Sequence, residues 1–217
     1  MFVHKHPYKP FIPKNATKLI VGTLPPPRFY NGLLKSGDVD FCYGSIDGQL
    51  WKILNVIYNL NLKFETTEFA IEQRKEFLTT RNIGICDIVA SCTRTKIDAS
   101  DVGMENIELR DLLFYLHKSP KVDTLLLTGG NSKNGPEYHL RRLLKAKKKS
   151  LKTISTATPR IHQFSIDKRI IKVISLTAPS GAANRAVGSN KEYKQLKKEN
   201  PTFNTFDFRV LQYKKFF

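Results

Sequence analysis

A single carboxylate interrupts an apolar stretch of the sequence. Asp87 lies within residues 83–89 (IGICDIV), which otherwise have the composition of a buried strand. A carboxylate is costly in such surroundings unless it serves a function or meets a partner. As an anion it only accepts hydrogen bonds, so it would bind N–H groups, and in its protonated form it could also donate one. The alternative is a structural carboxylate that caps a neighbouring loop.

The other segments that could carry chemistry are rich in glycine and polar residues, and each follows a predicted strand. Residues 18–24, 122–128 and 170–176 have the continuous apolar character of buried strands. The segments at their ends are Gly22-Thr23-Leu24-Pro25, Thr128-Gly129-Gly130-Asn131 and residues 178–185. Because ligands of open parallel sheets bind beyond the carboxyl ends of the strands, we expect these segments to meet at one site. An ordinary tight turn is the alternative for the glycine pair.

Helical patterns alternate with these strands. The predicted helices are residues 47–58 with Asp47 as N-cap, 67–78, 105–117, 136–149 and 189–198, and residues 151–157 are a further predicted strand. Phe69 and Phe77 are predicted to face inward, and residues 203–217 to pack as a final strand. Strands that alternate with helices predict an α/β fold with a parallel sheet covered on both faces. The length of 217 residues suits a single domain, residues 1–217.

The chain is strongly basic. It has 36 Lys and Arg against 19 Asp and Glu, a net charge of +17, and the excess is concentrated in residues 141–152 and 191–198. A basic surface attracts polyanions through its long-range field and through counterion release, which favours a nucleic acid as partner. Each basic run could instead be a solvated helix face.

The sequence offers no pattern for a metal, a disulfide framework or a membrane segment. Cys42, Cys86 and Cys92 lack the spacing of a zinc site, and the five histidines are scattered, so we expect no metal and no cofactor. No apolar run reaches the roughly 18 residues of a membrane span, and residues 1–13 lack the apolar centre of a signal peptide. These features predict a cytoplasmic protein that does not bind membranes.

Four segments, taken in order, resemble the uracil-DNA glycosylase superfamily. They are GTLPPP (22–27), FCYGSIDGQLWKIL (41–54), GICDIVASCTRTKIDAS (84–100) and APSGAANR (178–185). The second and third are most similar to the hypoxanthine-DNA glycosylase branch, and the fourth to the mismatch-specific uracil glycosylases. The resemblance implies a three-layer α/β/α fold with a central, mostly parallel four-stranded sheet. It also implies a monomeric, monofunctional DNA glycosylase of base excision repair that removes uracil or hypoxanthine from DNA.

The resemblance also implies roles for individual residues. The implied base-binding pocket is Gly22, Thr23, Pro25, Phe41, Tyr43, Gly44 and Asp87, and the implied DNA-binding residues are Pro179, Ser180, Gly181, Ala182, Asn184 and Arg185. Phe41 and Tyr43 could stack a flipped base or could belong to the core. Asp87 would read the edge of the base, and Asp47 and Asp87 are the candidate catalytic carboxylates.

The sequence departs from the superfamily at three functional positions. Leu24, Gly48 and Ala178 stand where relatives carry a polar residue, and Asp47 is adjacent to the second of these. The alanine pair 182–183 is a poor wedge for opening a duplex, which favours a single-stranded or mismatched substrate. The departures leave two alternatives open: a non-catalytic glycosylase-fold protein that binds nucleic acid, and a hydrolase of free nucleosides or nucleotides.

Overall fold

Nine strands and eight α-helices make up the protein, of which a computed structural model describes residues 1–217. The strands are β1 (Phe2–Lys5), β2 (Lys18–Val21), β3 (Ile83–Ile85), β4 (Val89–Arg94), β5 (Glu105–Leu109), β6 (Thr124–Leu127), β7 (Lys152–Ser155), β8 (Arg160–Ile166) and β9 (Arg169–Ser175). The helices are α1 (Pro27–Tyr30), α2 (Leu50–Tyr58), α3 (Glu68–Thr80), α4 (Leu112–Lys118), α5 (Pro136–Ala146), α6 (Asn184–Ser189), α7 (Lys191–Glu199) and α8 (Thr205–Lys214). Short 3₁₀ turns lie at Asp101–Gly103 and Gly181–Ala183.

The central sheet has six strands in the order β3-β2-β6-β9-β8-β7. The strands β3, β2, β6 and β9 are parallel, and β8 and β7 continue the sheet with antiparallel pairing. This confirms the predicted α/β class with a mostly parallel sheet. The resemblance implied four strands, and the sheet has six because the antiparallel strands β7 and β8 extend it beyond the four parallel ones. Of these two, β8 was not predicted. It joins β9 through a turn at Asp167 and Lys168, both with positive φ, which lacks the Asn-Gly or Asp-Gly signal of such turns.

Helices cover both faces of the central sheet. Leu19 and Val21 of β2 belong to a core cluster shared with α4 and α5. Ile20, which lies between them, belongs to the cluster shared with α2, α3 and α8. Because successive side chains of a strand point to opposite faces, strands that are buried on both sides have continuous apolar sequences. This is why the parallel strands could be recognised from sequence.

A separate antiparallel sheet has the order β1-β4-β5. The predicted strand 83–89 is therefore divided between two sheets, because β3 pairs with β2 whereas β4 pairs with β1. Asp87 lies in the connection between β3 and β4. The predicted helix 105–117 is also two elements, β5 and α4. Residues 105–109 pair with β4, and Asp111 caps α4 by accepting a hydrogen bond from the Phe114 amide.

The C-terminal segment 203–217 contains the helix α8, and the predicted strand was wrong. Asn204 accepts hydrogen bonds from the amides of Phe206 and Asp207, and the Asp207 side chain accepts one from the Asn204 amide. This capping box starts a helix. It outweighs the alternation of Phe206 and Phe208, which resembles a strand.

Two details of the N-terminal helices also differ from the prediction. Asp47 does not cap α2, because the helix begins at Leu50 with Gln49 as its N-cap. Phe77 is buried as predicted, but Phe69 is 60% exposed, because the buried stripe of α3 starts at the following residue. No helix in the structure is both long enough and apolar enough to cross a membrane.

Candidate active site

A pocket of about 260 Å³ lies at the carboxyl ends of β2 and β6. The strand order reverses between these neighbours, since the chain continues from β2 to β3 on one side and later adds β6 on the other. Such a switch point opens a crevice in which α/β proteins bind ligands. The walls come from parts of residues 23–28, 43–50, 99–101 and 178–180, with Asp87 and Thr128. The segments that follow the predicted strands therefore do meet at one place.

Asp87 is fixed in the pocket wall by three hydrogen bonds. Its Oδ1 accepts from the Gly22 amide at 2.8 Å and from the Tyr43 hydroxyl at 3.0 Å, and its Oδ2 lies 3.0 Å from His6 Nε2. The Tyr8 amide donates to His6 Nδ1, so a neutral ring carries its proton on Nε2 and donates it to Asp87. Burial alone would raise the pKa of Asp87, but the hydrogen bonds from these donors hold the pKa below its ordinary value. Asp87 is an ionised anchor whose oxygens are already engaged.

Tyr43 forms an aromatic wall of the pocket in a strained backbone conformation. Its φ is 58°, in the left-handed region that bulky residues avoid. Its hydroxyl lies 3.0 Å from both Asp87 Oδ1 and Thr128 Oγ1. Gly22 leaves room for it, since a Cβ at that position would stand 2.1 Å from the Tyr43 hydroxyl oxygen. Burial raises the pKa of Tyr43 well above its ordinary value, so the phenol remains a donor.

The neighbouring aromatic residue does not reach the pocket. Phe41 is buried in the core, with its ring centroid 6.0 Å from that of Phe11 and 6.3 Å from that of Trp51. Gly44 does line the pocket, and a Cβ there would stand 1.8 Å from the carbonyl oxygen of Val39. The chain therefore turns sharply between Phe41 and Gly44, which leaves only one of the two predicted stacking residues facing the cavity.

Asp47 lies at the mouth of the pocket and is 67% exposed. Its Oδ2 is 3.3 Å from Arg28 Nη2 and 3.5 Å from Lys35 Nζ. The same arginine makes a two-pronged pair with buried Asp38, at 2.7 and 2.9 Å. Because exposed ion pairs are weak and screened, Asp47 has the environment of a surface carboxylate.

Asp101 is a pocket carboxyl that sequence reasoning missed. Its Oδ1 accepts a hydrogen bond from Thr23 Oγ1 at 2.7 Å. The buried Asn134 side chain donates to the backbone carbonyls of Asp101 and Met104, both at 2.9 Å, and so fixes the 3₁₀ turn at the pocket wall. No local pattern indicates this placement, because the partner Thr23 is 78 residues away in the sequence.

The two pocket carboxyl groups differ in protonation. Burial raises the pKa of Asp101 to about 6, and the nearby charge of Asp87 adds to this, whereas the Thr23 hydrogen bond and the charge of Arg94 oppose it. Asp87 stays ionised well below neutral pH. Near neutral pH, therefore, one carboxylate is fixed and the other can take up or release a proton.

The loop after β9 is held at the pocket rim from two sides. Arg209 of α8 is fully buried and donates to the carbonyls of Ala178 and Ser180 at 2.8 and 2.9 Å. From the other side, the Gln49 amide donates to the Pro179 carbonyl at 2.9 Å. Arg209 was not identified from sequence, because its function depends on this contact between the last helix and a distant loop.

The outer part of this loop lies on the surface. Gly181, Ala182, Asn184 and Arg185 are exposed and do not line the pocket. A Cβ at Gly181 would meet no atom within 4 Å, so a partner has free access to the backbone there. Asn184 is partly committed to the fold, since its Oδ1 accepts a hydrogen bond from Arg209 at 3.0 Å.

The structure brings most of the predicted site residues together. Those that line the pocket are Thr23, Pro25, Tyr43, Gly44, Asp47, Asp87, Pro179 and Ser180. Gly22 lies directly behind the wall and donates to Asp87. No group of three or more His, Cys, Asp or Glu side chains is placed to hold a metal ion, and the three cysteines are free and buried.

Comparison with known proteins adds no assignment to this geometry. No protein-family model matches the chain, and no curated protein matches it with significance. The site is therefore characterised by its own geometry: the pair of carboxyl groups, the strained Tyr43 and the position of the pocket at the strand ends.

Proposed function

We propose that the protein is a monofunctional DNA glycosylase that hydrolyses the N-glycosidic bond of a deaminated base, uracil or hypoxanthine, in base excision repair. One observation carries the proposal: Asp87 and Asp101 line one small pocket in opposite protonation environments. A carboxyl group whose pKa lies near neutrality, beside one that stays ionised, can serve as the general base of a hydrolysis. The volume of about 260 Å³ is below the roughly 300–1,000 Å³ of sites for drug-sized ligands, so the pocket suits a single base.

The fold supports the same proposal. The parallel strands β3, β2, β6 and β9 form a four-stranded unit within the larger sheet, with helices on both faces. This unit agrees with the three-layer fold that the resemblance to the uracil-DNA glycosylase superfamily implies. Residues from 22–27, 41–54 and 178–185 line the pocket, and Asp87 joins them from the remaining segment of resemblance.

Hydrolysis would take place at a base flipped out of the stack. The base stacks on the ring of Tyr43, and a water molecule beside Asp101 attacks C1′ of the sugar. The water oxygen bonds to C1′, the C1′–N bond breaks, its electron pair leaves with the base, and a water proton passes to Asp101. Asp87 acts indirectly, because it positions Tyr43 and the Gly22 amide while its own oxygens are engaged.

Charge and exposed backbone support DNA as the substrate. The net charge of +17 favours binding to a polyanion. Gly181 and Arg185 are exposed in the segment that follows the pocket residue Ser180, and the amides of a glycine turn and a guanidinium can bind phosphate. The small side chain of Ala182 favours a single-stranded or mismatched substrate, on which the protein would act as a monomer in the cytoplasm.

The test uses labelled oligonucleotides that contain uracil or hypoxanthine, single-stranded and opposite each base, with alkali treatment to reveal abasic sites. Wild-type protein should produce abasic sites on at least one substrate. Asp101→Asn should slow their formation by about 10²–10⁴-fold, the contribution of a positioned general base. Glu76→Gln is the matched control, because it removes an exposed carboxylate of α3 that does not line the pocket.

A second candidate function is a glycosylase-fold protein that binds nucleic acid without cutting it. It is favoured by the surroundings of the two carboxylates that the sequence indicated as catalytic. Asp87 already accepts hydrogen bonds from three donors, and Asp47 is exposed and forms ion pairs. Under this alternative no substrate yields an abasic site, while salt-dependent binding to DNA persists.

A further inference from the structure

Another buried carboxylate, outside the pocket, binds two arginines. Glu137, in the first turn of α5, is 1% exposed. Its Oε1 accepts from Arg141 Nε and Nη2 at 3.0 and 2.9 Å, and its Oε2 accepts from Arg160 Nη2 and Ser175 Oγ, both at 2.8 Å. Burial would raise the pKa of Glu137, but the bonds from Ser175 and Arg141 and the charge of Arg160 hold it below its ordinary value. One negative charge thus faces two positive ones, which leaves the cluster with a net positive charge.

The imidazole ring of His162 also lies beside Glu137, but it does not change the net charge of the cluster. His162 Nε2 lies 3.4 Å from Glu137 Oε2. Burial lowers the pKa of His162, so the ring is neutral at neutral pH. Glu137 is therefore neutralised by arginine alone, and the excess charge resides on the two guanidinium groups.

Arg160 lies next to the pocket. It opens β8 and pairs with Ser175, the last residue of β9, at the same edge of the sheet as the pocket. Its Nη2 packs over Gly130, 2.8 Å from where a Cβ would stand. Gly130 is two residues beyond Thr128, which lines the pocket, and two Cα steps span at most roughly 8 Å. A strand with one nucleotide in the pocket would pass within reach of this side chain.

Arg141 and Arg160 differ in how many of their guanidinium nitrogens donate to protein acceptors. Arg141 uses Nε and Nη2 on Glu137 and Nη1 on the Leu151 carbonyl. Arg160 donates only from Nη2, so its Nε and Nη1 have no protein acceptor, and its side chain is 38% exposed. Because only one Nη2 hydrogen is used, the second Nη2 hydrogen together with Nε–H or Nη1–H leaves one edge of the guanidinium open to bind two phosphate oxygens.

We propose that Arg160, oriented by Glu137, binds a backbone phosphate of the strand whose neighbouring nucleotide occupies the pocket. This proposal rests on the proposed function for the identity of the strand. It adds an anion site on the β8 side of the pocket, separate from the loop after β9. Because Glu137 fixes the guanidinium before the strand arrives, little side-chain entropy is lost on binding.

The experiment measures the affinity for a fluorescently labelled single-stranded oligonucleotide that contains uracil, by anisotropy over a range of salt concentrations. Each phosphate contact on a single strand contributes about 0.7 to the slope of log K against log salt. Arg160→Gln should lower that slope by this amount and weaken binding roughly fivefold at 0.1 M salt. The matched control is Lys121→Gln, which removes an exposed positive charge just before β6, at the opposite edge of the sheet.

A second variant moves the guanidinium without changing its charge. In Gly130→Ala the new Cβ would stand 2.8 Å from Arg160 Nη2, the flexible end of a side chain, so the arginine has to shift while the backbone stays. Binding should weaken, by less than in Arg160→Gln. Thermal unfolding of each variant shows whether the fold is intact.

The outcomes separate this proposal from the glycosylase itself. If Arg160→Gln and Lys121→Gln have the same slope as wild type, the phosphate site is refuted and Arg160 only neutralises Glu137. Absence of any salt-dependent binding by wild-type protein refutes it as well. If wild type binds and the slope falls in Arg160→Gln, but no abasic sites form, the glycosylase fails and the phosphate site stands.

Discussion

Replacement of Asp101 by asparagine should abolish most of the activity and stabilise the protein at the same time. Asparagine has nearly the same shape and can still accept the hydrogen bond that Thr23 Oγ1 donates at 2.7 Å, but it cannot take a proton from water. Because a positioned general base contributes about 10²–10⁴-fold, we expect abasic-site formation to slow by that factor. A structural carboxylate would give a different result, since its loss would weaken the fold.

The expected gain in stability follows from the pKa of Asp101. Burial raises that pKa from the ordinary 3.8 to about 6, so the folded protein binds the proton more tightly than the unfolded chain does. The stability that this proton provides is present below about pH 4 and is lost as the pH rises through about 6. A difference of about 2 pKa units at 1.36 kcal/mol each corresponds to up to about 3 kcal/mol at pH 7. Asp101→Asn removes this penalty.

Two assays test the reasoning. The single-turnover rate of wild type should rise with pH, reach half of its plateau near pH 6 and level off above about pH 7, with about a tenth of the plateau rate at pH 5, whereas the slow rate of Asp101→Asn should not depend on pH. Denaturant unfolding should show the variant more stable than wild type at pH 7, with most of that difference gone at pH 4. A wild-type rate that is flat or falls through pH 6, or a stability difference that is the same at both pH values, would refute the role of Asp101 as general base.

Three further substitutions probe the walls of the site. Gly22→Ala places a Cβ 2.1 Å from the Tyr43 hydroxyl, so it should break the bond to Asp87 and lower the free energy of unfolding by roughly 1–3 kcal/mol, as measured by denaturant unfolding. Asp47→Asn should change the rate of abasic-site formation less than about fivefold, because its ion pairs are exposed, and a larger loss would restore it as a catalytic candidate. Arg209→Lys cannot reproduce the planar set of donors that holds the rim loop, and should lower the free energy of unfolding by roughly 2–4 kcal/mol with faster proteolysis within residues 178–185. Unchanged proteolysis in that variant would show that the rim is held by other contacts.

The elements that could be predicted from sequence are those whose stability is decided by burial on both sides. The strand β2 is apolar without interruption because both of its faces meet helices. The strand β8 escaped prediction because its adjacent polar residues His162 and Gln163 interrupt both a continuous apolar run and a strict alternation of apolar and polar residues. In α8 the aromatic alternation was misleading, although the pair Asn204 and Asp207 carried a local helix signal.

Some residues of the candidate site could likewise be predicted from the sequence, and others could not. Its position at the strand ends follows from the topology rule alone, and Asp87 stood out because a carboxylate in an apolar segment needs partners. Asp101 had no such signal, since its place in the pocket depends on Thr23 and Asn134, which lie far from it in the sequence. Phe41 was predicted to line the pocket but does not, and no local pattern indicated this either. The backbone turn at Tyr43 decides which of the two rings faces the cavity.

If the proposed function holds, the placement of Asp101 also gives a physical reason why hydrolysis can proceed with apolar residues at the strand ends. Leu24 stands where the superfamily often carries a polar residue, and in this protein it lines the pocket as an apolar wall. The adjacent Thr23 donates its hydroxyl to Asp101, so a carboxyl from the 3₁₀ turn reaches the same strand end that the missing residue would occupy. Apolar walls raise the pKa of a carboxyl group toward neutrality. Asp87 is ionised and its oxygens are engaged, so it cannot exchange a proton near neutral pH. In the proposed reaction, the group that handles the proton is therefore Asp101 in the 3₁₀ turn, and Leu24 beside Thr23 forms an apolar part of the same pocket.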